Sequence, residues 1–137
     1  MPVVAAIADS SDSRIVEEAE KLATAFDREL HVVHVISMGT TDADIGGVSD
    51  DSSDRLREIA KERTKAATEG VSDDPIHVGL VDSNPSQRVI SYASEVDAEY
   101  IVIGGRKRSP TGKAIFGSAA QSILLNANRP VLSIFSN

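Results

Sequence analysis

The chain has 137 residues, 41 % of them hydrophobic, which is enough for one sizeable core and ordinary for a globular protein. Twenty-one acidic against fourteen basic side chains give a net charge of −7, which opposes general nucleic-acid binding, and no apolar run approaches the roughly 20 residues of a membrane span. The lack of cysteine removes disulfides, thiolate metal sites and cysteine nucleophiles together.

The N-terminus, Met1-Pro2-Val3, has no basic segment and runs directly into a strand-like run from Val3 to Ala8. A signal peptide is therefore not expected, and cytoplasm is the expected location. Ile15, Val16, Ala19, Leu22, Ala23 and Phe26 follow helical spacing. Leu30 to Ile36 is apolar and β-branched, with His31 and His34 inside it. The polar stretch from Ser37 to Ser53 reads as a loop. Leu56, Ile59, Ala60, Arg63 and Ala67 mark a second helix that Gly70 stops, and Ile76 to Val81 a third strand.

Asn84-Pro85 opens a third helix through Val89, Ile90, Ala93 and Val96, because Asn caps well and Pro suits the first turn. Tyr100 to Ile103 is a fourth strand, which Gly104-Gly105 is expected to end. Residues 105–117 read as a basic, glycine-containing loop. Ser118 to Ala127 is a fourth helix and Pro130 to Phe135 a fifth strand. Five strands alternating with four helices predict an α/β fold: an open, doubly wound, Rossmann-like parallel sheet, as one domain over residues 1–137. Such sheets bind ligands outside the carboxyl ends of their strands, where the winding reverses. Asp9 and the segment from Gly104 to Ser118 would line that crevice.

That segment reads Gly-Gly-Arg-Lys-Arg-Ser-Pro-Thr-Gly-Lys-Ala-Ile-Phe-Gly-Ser and holds four of the fourteen cations. Gly117-Ser118 opens a helix, whose free N–H groups and positive dipole end suit a phosphate. The alternative is a solvated turn that offsets an acidic surface. It is not a Walker loop: six residues separate Gly105 from Gly112-Lys113, and Ala114 follows. Asp9, after the first strand, suits ribose hydroxyls or a base edge, or else caps the first helix in competition with Asp12 and Ser13.

Other chemistry is weaker. His31 and His34 point to opposite faces of one strand and His77 lies in another, so they form no metal site. Asp42, Asp44 and Gly47 resemble the start of a calcium loop, but Gly46 and Ser53 occupy positions that need oxygen ligands. No Gly-x-Ser-x-Gly is present. Five lysines against nine arginines, with aspartate in excess, match proteins of salt-loving organisms and equally an ordinary acidic cytosolic protein.

Asp9 with Ser11, His34 with Val35, and Gly104 with Lys107, Gly117 and Ser118 are together similar to the universal stress protein family, as is the closing run from Ile101 to Leu132. The resemblance implies strand order 3-2-1-4-5, a homodimer formed through the last strand, and, in one branch, ATP, with Mg where a metal is used. It implies that Ala8 and Asp9 meet the adenosine, that Val35 packs near adenine, that Ile103 and Gly104 offer a close approach, and that Gly117, Ser118 and Ala119 bind phosphates. The family's second motif glycine is here Lys107, which either fills the phosphate space or supplies an ammonium to it. The function expected is a stress-response protein that signals by its nucleotide state. Any ATPase activity should be slow, since no general base is evident. The alternative is a nucleotide-free dimeric interaction module with its crevice plugged by Lys107.

Overall fold

A computed structural model describes residues 1–8, 12–37, 53–71, 74–107, 114–115 and 117–136. Its elements run β1 (Val3–Ala6), α1 (Ser13–Ala25), β2 (Leu30–Ser37), α2 (Ser53–Ala67), β3 (Ile76–Asp82), α3 (Pro85–Glu95), β4 (Tyr100–Lys107), β5 (Ala114–Ile115), α4 (Ser118–Asn126) and β6 (Val131–Ser136). Five strands are parallel in the order β3-β2-β1-β4-β6. The fifth strand of the sequence reading is β6, so the expected order 3-2-1-4-5 is the observed one.

The central strands β2, β1 and β4 are largely buried on both faces, which is why they are rich in Val, Ile and Ala. Val3, Ala5, Val32 and Val102 pack against Ile15, Val16, Ala19 and Ala23 of α1 and Ala67 of α2. Val4, Val33, Ile101 and Ile103 pack against Val89, Ile90 and Ala93 of α3 and Ile123 of α4. The spacing of these helical residues is the 3.6-residue period seen in the sequence. Two helices therefore cover each face, and the winding reverses between β1 and β4.

Local signals position the ends. Asn84 caps α3, its side chain accepting from the Gln87 N–H at 3.3 Å, with Pro85 in the first turn as expected. α1 and α3 close alike: Asp27 (φ 55°) and Asp97 (φ 53°) turn left-handed, and the N–H groups of Arg28 and Ala98 return to Ala23 and Ala93 at 2.8 Å. Each closure delivers the chain directly into a central strand.

Two expectations fail at β4. Gly104-Gly105 does not end the strand, which continues to Lys107. Nor is 105–117 loop throughout, because Arg106 and Lys107 pair antiparallel with Ile115 and Ala114. The reason for the glycine lies across space: a Cβ at Gly104 would collide with Cδ1 of Ile15. Here glycine marks a close approach of α1 to the sheet rather than a break. Arg106 also pairs with Ser136, so β5 lies on the β1 side of β4, extending the sheet beyond the end of β1.

Candidate functional site

Where the winding reverses, a cavity of about 590 Å³ opens at the carboxyl ends of β1 and β4. One wall is apolar and comes from Val35, Val89, Ile103 and Ile123. Gly104 and Gly105 present bare backbone. Gly117 and Ala119 bring the start of α4 to the opposite rim.

Gly117 is the N-cap of α4, with extended backbone (φ −67°, ψ 165°) and no side-chain cap. The N–H returning to its carbonyl is that of Gln121, at 3.0 Å, so the N–H groups of the preceding turn have no intrahelical acceptor. A Cβ built at Gly117 meets nothing within 4 Å. The glycine thus leaves open space beside a set of donors and a positive dipole end, a favourable place for an anion.

The opposite rim is the start of α1. Asp12 occupies its N-cap position but makes no capping bond to the helix; its Oδ2 accepts the Ala8 N–H at 2.7 Å instead. The carboxylate thereby ties the start of α1 to Ala8. Arg14, in the first turn, also lines the cavity.

His34 enters from β2. Its Nδ1–H donates to the Ile7 carbonyl at 3.0 Å, and its Nε2 accepts from Arg63 at 3.1 Å. Both bonds require a neutral ring, since a guanidinium cannot accept. The histidine acts as a buried peg between β1, β2 and α2. His31 meets the Tyr92 hydroxyl at 2.6 Å, and His77 meets Thr64. The three histidines thus face three different neighbourhoods. Among the described residues no group of three His, Asp or Glu side chains could hold a metal ion.

The universal stress protein family model matches residues 1–134. The chain belongs to the universal stress protein family. A solved universal stress protein from Archaeoglobus fulgidus is 33 % identical, with a TM-score of 0.67 and 98 % of each chain covered. Another from A. fulgidus, solved in complex with dAMP, is 28 % identical at a TM-score of 0.62, covering 98 % of this chain and 97 % of that one. A third, solved in complex with cAMP, is 25 % identical at a TM-score of 0.59, covering 99 % and 98 %. No described helix is long and apolar enough to cross a membrane.

Of the residues that the family resemblance singled out, Ala8, Val35, Ile103, Gly104, Gly117 and Ala119 line this one cavity. Ser118 is exposed as the first residue of α4 and is not part of the lining. Lys107 ends β4. Asp9, Ser11, Gly112, Lys113 and the calcium-like stretch with Asp42 and Asp44 lie outside the described residues. The sequence reading did not assign Arg14, Ser37 or Val89 to the crevice, yet all three line it. Only Val89 carried a signal, as part of a helical stripe, and that stripe spoke for the core.

Proposed function

We propose that this universal stress protein binds an adenine nucleotide in the cavity between β1 and β4 and that its bound state is its output. The observation that carries the reading is the pairing, in one cavity, of an apolar wall with an uncapped helix start at Gly117. An adenine ring needs the first and a phosphate the second. The residues present fit such a ligand: 590 Å³ is ample, and among the described residues a Cβ at Gly117 meets nothing within 4 Å. The family relatives solved with dAMP and cAMP support the same ligand class.

In this reading adenine lies against Val35 and Ile103, Ala8 and Asp9 face the ribose, and the phosphates approach Gly117, Ser118 and Ala119, with Lys107 nearby at the end of β4. ATP is the proposed ligand, with Mg when a metal accompanies it. Binding rather than turnover is the proposed role, in the cytoplasm. The partner is proposed to be a second copy of the chain, joined through β6, whose surface would respond to the nucleotide.

The test is calorimetry with ATP, ADP and AMP on the wild type and on Gly117→Val. The backbone angles at 117 suit any residue and the Cβ has room, so folding should be unaffected and the melting curve nearly unchanged. Nucleotide affinity should fall at least about tenfold, or 1.4 kcal/mol. Undiminished affinity in Gly117→Val would remove this cavity from consideration. A wild type that binds no nucleotide would transfer the reading to a nucleotide-free module, and Lys107→Gly would then be the variant to titrate.

A further inference from the structure

Two charged side chains are found among the described residues lining the cavity, Asp12 and Arg14. Asp12 is engaged by the Ala8 N–H. His34 is not a cation there, because its Nε2 accepts from Arg63. Arg14 is therefore the one positive side chain that the described lining presents to a ligand. It makes no hydrogen bond or ion pair with the described residues.

Its position is also costly. α1 has no acidic residue in its first turn, and Arg14 puts a cation against the positive end of the helix dipole. Local rules favour Asp or Glu at that place. A residue that breaks a local rule at the rim of a cavity points to a use for it. An anion in the cavity would offset this cost, since it would be attracted by Arg14 and by the dipoles of α1 and α4 together. Arginine also suits the task geometrically, with several N–H donors in a fork that matches phosphate oxygens.

We propose that Arg14 is a specificity-determining residue that binds the phosphate of the nucleotide and makes this cavity prefer nucleoside phosphates over nucleosides. The inference rests on the adenine-nucleotide reading and adds to it a residue outside the glycine-rich segment. It also bears on how a protein of net charge −7 admits an anion: Arg14 and the N-terminal ends of α1 and α4 put positive charge at the cavity rim.

The test compares AMP with adenosine by calorimetry on wild type, Arg14→Gln and Arg14→Lys, at low and moderate salt. Arg14→Gln should lose about tenfold in AMP affinity, the lower end for a charge-assisted hydrogen bond at an exposed site, with adenosine unchanged. Arg14→Lys should retain part of the AMP affinity. The fall of AMP affinity with salt should be shallower in Arg14→Gln than in wild type. Arg14 is exposed, and the free Arg14→Gln protein should melt no lower than wild type, which separates a binding defect from a folding defect. Equal losses for AMP and adenosine, or no loss for either, would overturn the role of Arg14 and leave the cavity reading standing. If neither ligand binds the wild type, both fall together.

Discussion

His77 is held by a hydroxyl that has already given its proton away. Thr64 is fully buried, and its Oγ1 donates to the Lys61 carbonyl of its own helix at 2.6 Å. The same oxygen is 3.1 Å from Nδ1 of His77, so the ring must donate to it. Burial pushes the His77 pKa below its ordinary value; the Asp74 carboxylate opposes the shift, and Lys65 and Lys61 reinforce it. The folded protein therefore prefers the neutral ring. An unfolded chain takes up the proton below about pH 6.5, and the folded one resists it. Stability from this group is present above that pH and is lost as pH falls toward the depressed folded value. Melting temperatures between about pH 7.5 and 5.5 should fall less steeply in His77→Gln, which keeps a donor for Thr64, than in wild type. Parallel curves would show that His77 carries none of the acid sensitivity.

The elements are set against one another at glycines that lack room for a side chain. A Cβ at Gly79 in β3 would lie 2.6 Å from the backbone nitrogen of Lys61 and would collide with the carbonyl oxygen of Arg57. Both are backbone atoms of α2, so the whole helix would have to move. A Cβ at Gly104 meets the far end of Ile15, which can rotate. Gly79→Ala should therefore destabilise by about 3 kcal/mol and Gly104→Ala by about 1 kcal/mol, read from chemical denaturation. Equal costs would mean that α2 is not fixed against β3. This pair also marks what a sequence can disclose. Strand and helix periods are local, so the alternation of elements was legible, as was the cap at Asn84-Pro85, while the sheet order was legible only through the family resemblance. The purpose of Gly104 was not, because its cause sits some ninety positions earlier, at Ile15. Two-residue β5 is too short to show any period. The apolar part of the cavity was legible in Val35 and Ile103 through the family resemblance. Arg14 was not, because what brings it to the rim is the topology and not a motif.

At the scale of the whole molecule the open question is what covers β6. This strand pairs with β4 along one side, and among the described residues no strand pairs with its other edge. Leu132 in it is 39 % exposed, and Leu124 and Leu125, shortly before it in the chain, are 38 % and 75 % exposed. An open apolar edge invites pairing with its own twin, the dimer proposed above. Electrostatics oppose that dimer, since two copies at −7 each bring −14 together. Apolar burial and edge hydrogen bonding are insensitive to this charge, while the repulsion is screened over about 10 Å at 0.1 M salt. Dimerisation should thus strengthen from low to moderate ionic strength, the opposite of an association driven by ion pairs. Sedimentation equilibrium at micromolar concentration should find a dimer at 0.15 M salt and a larger monomer fraction at 0.01 M. Leu132→Lys places a charge on the edge without touching the cavity, and should shift the equilibrium to monomer with nucleotide affinity retained. A dimer that weakens with added salt, or that ignores Leu132→Lys, would show that the copies meet elsewhere than at β6.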